Sequence, residues 1–510
     1  MKPGERVAVI DLGSNSFRLV VFMAGERWWK RTDEIYEPVR IGQGLAATGS
    51  LAQAPIERAL ATLDVFSHFC RASGLGEGSV DAVATSAIRD AENAETFLAR
   101  ARERFGLPIR VLSRETEARY GYLAAINSTT LQDGYVFDLG GGSMQLVRVE
   151  GRLALESGSW PLGTVRMSER FLPPNGPAKR KQLDELREHL AGELAGVRWL
   201  TGADSGGRRL VGIGGTVRNL AAAAQRATGL PSNGVQGTVI EREVLDELVQ
   251  RLAALPASER ATVPGVKPAR ADLILAGALV VQAVLKAGGF EGMETTEAGL
   301  REGIFFERLL SDRDPPLLEN VRQASVLNLA AQYRSDGHHT RHVAALALGM
   351  FDELAGLGLH EGDPLERELL WAASMLHDIG MSIDYDDHHK HSRYLILNGG
   401  LPGYSPVETA IIAQSARYHR KGMPVPGPLA PLFRDGDAER LDRCAVLLRL
   451  AEDLERSRDQ LVRRTTMALN NGEVELHLVS DGEAAVPRWA AGRETELFAR
   501  AFHRGLSVAA

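Results

Sequence analysis

Two stretches of this chain place a carboxylate at the end of an apolar run and follow it with glycine and hydroxyl residues. In residues 135–147, strand formers lead into Asp138, then Gly140, Gly141, Gly142 and Ser143, and apolar alternation resumes at Leu146, Val147 and Val149. The pattern predicts a hairpin with a tight glycine turn. Such a turn can cradle a phosphate: glycines let backbone N–H groups converge, Ser143 adds a hydroxyl, and Asp138 can hold a hydrated divalent cation against the same phosphate. Residues 7–20 repeat the layout near the N-terminus, with Asp11, Gly13, Ser14, Asn15 and Ser16 in register. A repeat at a domain-sized interval predicts two related halves that offer a phosphate loop each to one cleft.

Other residues carry chemistry beside these loops. A strand over 80–84 delivers Thr85, Ser86 and Arg89, whose guanidinium can fork a phosphate. A short strand over 109–112 leads into a helix bearing Glu115, Glu117 and Arg119, where first-turn carboxylates ordinarily serve as dipole partners or caps. Residues 210–217 read as a strand that runs through Gly214, Gly215 and Thr216 into an alanine-rich helix. In the last two-fifths histidines concentrate. His377 and Asp378, adjacent at a helix end, and His339 on a preceding helix can hold a divalent metal. Arg417, His419, Arg420 and Lys421 form a basic run.

Taken together, the paired loops resemble those of the Ppx/GppA phosphatases, the exopolyphosphatases and guanosine pentaphosphate phosphohydrolases of the acetate and sugar kinase, Hsp70 and actin superfamily. Residues 84–90, 115–119, 161–166 and 299–303 match motifs more specific to that family. The resemblance implies an α/β fold of two actin-like (ribonuclease H-like) lobes, followed by an all-α HD-like domain. It implies that Glu117, with Glu115 as the fallback, is the general base on an attacking water, and that Arg89 stabilises the phosphoryl charge. Asp11 and Asp138 would hold Mg2+ or Mn2+, and Gly214 to Thr216 would meet the far side of the ligand. The substrate would be inorganic polyphosphate or guanosine pentaphosphate, and the assembly a homodimer. His339, His377, Asp378 and Glu452 correspond to the HD-type metal set, and the basic run would guide a polymer.

Two positions depart from those patterns. Gln145 stands where the family carries a Glu, and Glu452 stands where an Asp would end the HD set, with Asp453 following. A glutamine cannot bind a proton or hold a cation as a carboxylate does. Two other readings follow: a kinase-like phosphotransferase, since such loops also bind ATP, and a non-catalytic sensor of polyphosphate or an alarmone.

The elements that must position these groups divide into three expected segments, 1–127, 128–311 and 312–510, with a Pro-rich linker near 311–316. Periodicity predicts an amphipathic helix over 55–70, a buried helix over 272–285, and helices over 326–356 and 366–376. The 510 residues carry a net charge of -7, which argues against a general polyanion binder such as a DNA-binding protein. Local clusters at 179–181, 208–209 and 417–421 would have to meet a long anion. The absence of a signal-like N-terminus or a bilayer-length apolar run, and the presence of only Cys70 and Cys444, point to a cytoplasmic protein without membrane insertion.

Overall fold

A computed structural model describes residues 1–76, 78–201, 208–231 and 234–509. The chain forms two compact units, Met1–Val321 and Arg322–Ala510.

The first unit is built on two sheets with one topology. Strands β1 (Arg6–Leu12), β2 (Phe17–Ala24), β3 (Trp29–Glu37), β4 (Val80–Ala84) and β5 (Ile109–Val111) lie in the order β3-β2-β1-β4-β5. Strands β6 (Gly134–Leu139), β7 (Met144–Glu150), β8 (Leu153–Trp160), β9 (Arg209–Ile213), β10 (Thr238–Glu241) and β11 (Gly292–Thr295) repeat that order as β8-β7-β6-β9-β11, with β10 added at the edge. This is the actin-like duplication expected from the two loops. The central strands read as continuous apolar runs because both faces are covered: Val7 to Ile10 are almost fully buried. Asp11 and Asp138 pair in parallel with Val83 and Ile213 of the neighbouring strands, so both carboxylates stand at the carboxyl ends of their sheets, where open α/β sheets bind ligands.

Two helices tie the lobes together. The helix Arg114–Ile126 starts at Ser113, whose hydroxyl accepts from Thr116 N at 3.1 Å. The helix Leu300–Leu309 crosses it so closely that a Cβ on Gly303 would lie 2.0 Å from Tyr120 O. Phe305 stacks on Phe22 of β2 with ring centroids 4.4 Å apart. The helix Ile274–Gly288 is buried along most of its length, as its apolar run predicts.

The second unit is helical, and the stretch read as helical over 326–356 divides into two helices, Val321–Gln332 and Gly337–Gly356. Asp336 breaks it by capping the second helix, accepting from His338 N at 3.0 Å and His339 N at 3.3 Å. The all-α expectation needs a further correction. Strands β12 (Val462–Asn470), β13 (Glu473–Ser480) and β14 (Gly505–Val508) form a three-stranded sheet. Its hairpin turns at Asn471 and Gly472, both with positive φ (50° and 87°), the conformation an Asn-Gly pair favours. No helix among the described residues is long and apolar enough to cross a membrane.

Candidate active site

The two glycine loops face each other in direct contact. Ser14 Oγ lies 3.1 Å from Ser86 Oγ, and a Cβ on Gly142 would fall 2.8 Å from Ser14 Oγ and 2.5 Å from Ser86 Oγ. Each loop is gripped by its carbonyls. Ser14 O and Asn15 O accept from Gly42 N (3.0 Å) and Arg40 N (2.9 Å). Gly140 O and Gly141 O accept from Thr164 N (3.0 Å) and Val165 N (2.8 Å), and Gly142 O accepts from Arg166 Nε at 3.2 Å. None of those bonds uses the N–H groups of Gly141 and Gly142, so the grip fixes the turn without consuming the donors an anion needs. Gly163 makes it possible, because a Cβ there would sit 2.3 Å from the carbonyl carbon of Gly142. Gly163→Ala is therefore expected to displace the second loop, lowering turnover at least about tenfold and costing about 1–3 kcal/mol of stability, as overpacking does; assays of turnover and thermal melting check both.

Between the loops lies a cleft with a free volume of about 120 Å³. Three carboxylates line it, Asp11, Glu117 and Asp138, and four arginines, Arg18, Arg218, Arg270 and Arg301. Gly13 to Ser16, Gly140, Gly141 and Gly214 to Thr216 complete much of the wall. The buried side-chain amide of Asn15 has no hydrogen-bond partner, which marks it as a group awaiting a ligand.

Confinement shifts Asp11, Glu117, Asp138, Arg18, Arg218 and Arg270 against their charge. Loss of solvent raises Glu117, opposed by its bond from Arg89, and raises Asp11, opposed by Arg301. Asp138 is pushed up to about 7 by loss of solvent and then by the neighbouring Glu117. Arg218 comes down to about 10 through burial and then repulsion from Arg301, and Arg18 and Arg270 are lowered mainly by burial, with repulsion from other arginines. The guanidiniums remain charged and crowd one another around the same space.

Glu117 is buried; Arg89 Nη1 donates to its Oε2 at 2.7 Å and Ser143 Oγ to its Oε1 at 3.4 Å. Glu115, the fallback base, is exposed on the first turn of the same helix and does not line the cleft. Arg89 also donates to Leu112 O at 3.1 Å; it stands behind Glu117 rather than on the cleft wall. Gln145 is likewise behind the wall: its Nε2 donates to Ser143 Oγ at 2.8 Å and to Ser159 Oγ at 3.3 Å. The amide thus holds Ser143 toward Glu117, a donation no carboxylate can make. Sequence reasoning missed the four arginines as a group. Arg18 and Arg301 lay inside motifs already singled out, Arg218 follows the Gly214–Thr216 turn, and Arg270 carried no local signal. Gly215 has its own reason here, since a Cβ would meet Arg270 Nη2 at 2.1 Å.

In the second unit, His339, His377, Asp378 and Glu452 do come together. Glu452 Oε2 lies 3.0 Å from His339 Nε2 and 3.1 Å from His377 Nε2. Burial opposes charging His377, but the carboxylates of Asp378 and Glu452 outweigh it and leave the imidazole at about 9. The basic run is not one surface. His419 is 1% exposed and points inward, which removes it from any polymer track, while Arg420 and Lys421 are exposed. The other two basic clusters are engaged in ion pairs: Arg180 with Asp184, Lys181 with Glu185, Arg208 with Glu150 and Arg209 with Glu294.

Comparison with known proteins identifies the family. The Ppx/GppA phosphatase family matches residues 32–312, and domain III of the Ppx/GppA phosphatases matches residues 321–485. Among solved structures, a Ppx/GppA family member of Aquifex aeolicus is 30% identical over 61% of this chain and 99% of its own, with a TM-score of 0.52. An exopolyphosphatase-like protein is 27% identical over 59% of this chain and 96% of its own (TM-score 0.53). An exopolyphosphatase of Cytophaga hutchinsonii, 20% identical over 60% of this chain and 98% of its own (TM-score 0.55), shares the fold. With more than half its length matched, and with the family's paired loops facing one cleft, the chain belongs to the Ppx/GppA phosphatase family.

Proposed function

We infer that the cleft of the first unit removes the terminal phosphate of inorganic polyphosphate by water attack. The observation that carries this is the pairing of three confined carboxylates with four crowded arginines between two glycine loops. Such a wall suits a phosphoryl group and a hard cation together and suits neither a neutral ligand nor a cation alone. The carboxylates fit a divalent ion: they are oxygen donors, loss of solvent disfavours their charge, and they do not close on one another, which leaves room for the phosphate oxygens and waters such an ion keeps.

On this reading the terminal phosphoryl lies between the loops, bound by the N–H groups of Gly141 and Gly142 and by the arginines. Asp11 and Asp138 would hold Mg2+ or Mn2+, which would supply neutralisation of the charge on the phosphoryl oxygens. Glu117 takes a proton from water, the water oxygen attacks phosphorus, and the anhydride P–O bond breaks toward the shortened chain. Arg89 and Ser143 hold the Glu117 carboxylate in place, and Gln145 holds Ser143. The arginines stabilise the spread negative charge.

Guanosine pentaphosphate ends in the same anhydride, so the two substrates are compared directly. Phosphate release from long-chain polyphosphate and from guanosine pentaphosphate, each with magnesium and with manganese, is expected to be faster on polyphosphate. Release from the nucleotide alone, or from neither, would sink the reading.

Asp138→Asn and Asp11→Asn are each expected to raise the magnesium concentration for half-maximal activity about tenfold or more, since an amide holds a hard cation more weakly than a carboxylate. Asp138 adds a second readout. Its folded value, about 7 against 3.8, means that its contribution to stability is full below pH 3.8 and is lost as pH rises through 7. Without divalent ions, Asp138→Asn should therefore melt higher than the parent above pH 7; an unchanged metal requirement and an unchanged melt would contradict the assignment.

A further inference from the structure

The carboxylate of Glu117 lines the cleft from the front and closes a ring of side chains behind the wall. Arg89, which follows β4, donates from Nη1 to Glu117 Oε2 at 2.7 Å and to Leu112 O at 3.1 Å. Its Nε is buried, makes no hydrogen bond and has Asp90 Oδ1 3.5 Å away. The other oxygen of Asp90, Oδ2, accepts from Arg166 Nη2 at 3.1 Å. Arg166 in turn donates from Nε to Gly142 O at 3.2 Å, and Ser143, the next residue, returns to Glu117 Oε1 at 3.4 Å. Asp90 thus stands between two guanidiniums, one aimed at the carboxylate and one at the second glycine loop. Arg114 Nη2, 3.9 Å from Asp90 Oδ1, is a more distant and more exposed contact.

The ring joins the lobes twice. Arg89 and Asp90 belong to the lobe of β1 and β4, and Gly142, Ser143 and Arg166 to the lobe of β6 and β7, so Asp90 to Arg166 and Glu117 to Ser143 both cross between them. Two magnitudes decide what such a ring is for. The Asp90 and Arg166 side chains are 24% and 25% exposed, and ion pairs that water reaches add little to stability. Position is more sensitive, because misplacing a reacting group by about 1 Å can cost about a hundredfold in rate. A long arginine side chain fixes its partner only if its own fork is fixed, and besides Glu117 the carboxylate paired with Arg89 is Asp90.

We propose that Asp90 and Arg166 are positioning residues for the reaction: they tie the Arg89 fork to the second glycine loop and so hold Glu117 in place relative to the phosphoryl group. The proposal rests on the reading of Glu117 as the base. Neither residue lines the cleft, so neither touches substrate, and their effect passes through the carboxylate.

The test is steady-state phosphate release from long-chain polyphosphate with magnesium, using the full chain. Asp90→Ala and Arg166→Met are each expected to cut kcat about tenfold or more, with KM changed less than about threefold and the melting temperature within about 3 °C. The double variant should stay within about threefold of the slower single, because both substitutions break one link. In the Glu117→Gln background, Asp90→Ala should lower the residual rate by less than about threefold, since no base remains to be aimed; a merely structural residue would lower it again. Asp90→Asn keeps the shape but no longer pairs with Arg89 as an anion, so it should lose kcat in the same direction and gives the same comparison if Asp90→Ala does not fold. An unchanged kcat in these variants, or a further loss of about tenfold in the Glu117→Gln background, would overturn the proposal and leave Glu117 as the base. A Glu117→Gln enzyme with more than half the parent's rate would instead remove the base, and this assignment with it.

Discussion

Glu117→Gln is expected to cut phosphate release by about a hundredfold or more while leaving polyphosphate binding nearly intact, the loss typical of a removed general base. The amide keeps the shape of the carboxylate; its oxygen can still accept from Arg89 and its NH2 can donate to Ser143 Oγ, so the loops should not move. What is lost is the proton acceptor. The carboxylate is also raised by burial, so the parent's rate should fall on the acid side of a pKa above the ordinary 4.5, and the variant's residual rate should lose that limb. Glu115→Gln, at an exposed position on the first turn, is expected to leave the rate unchanged. Steady-state phosphate release and filter binding across pH check each part; a Glu117→Gln enzyme with more than half the parent's rate would remove this residue from the chemistry.

The second large effect belongs to the arginines. Arg218→Met and Arg270→Met each delete a guanidinium from the cleft wall. A hydrogen bond to a charged group contributes about 1.5–3 kcal/mol, so kcat/KM should fall roughly tenfold to a hundredfold for each. Stability should not fall in parallel, because each substitution also relieves repulsion among Arg18, Arg218, Arg270 and Arg301. Higher salt should depress the variants less than the parent, since fewer charges meet the anion. Unchanged kcat/KM in both variants would mean that the phosphate does not reach this wall.

Much of the first unit was legible because its signals are local. An Asp at the end of a buried strand followed by glycine and serine specifies the loop by sterics alone, and the repetition at Asp11 and Asp138 announced the duplicated sheets. The burial of Glu117 and exposure of Glu115, two residues apart on one helix, depend on which face meets the cleft, and only the fold decides that. The four arginines come from separate parts of the first unit and converge only when the lobes pack. Gln145 looked like a lost carboxylate, yet its side chain points behind Ser143, a direction set by the pleat of β7. In the second unit, helical periodicity masked the cap at Asp336, and the hairpin at Asn471 and Gly472 went unread beside the long helices. His419 sat in a run of cations, and its inward orientation follows from its place at the end of the helix Pro406–Tyr418, which the run itself does not encode.

The central claim, that water activated in the cleft takes the terminal phosphoryl group, is tested most directly by running the reaction in 18O-enriched water with long-chain polyphosphate and magnesium. The account predicts orthophosphate that carries one solvent oxygen per molecule, released from chain ends, with the label rate falling with Glu117→Gln. Phosphoryl transfer to an added acceptor without solvent oxygen in the product, or tight polyphosphate binding with no labelled phosphate at any divalent-ion concentration, would contradict it.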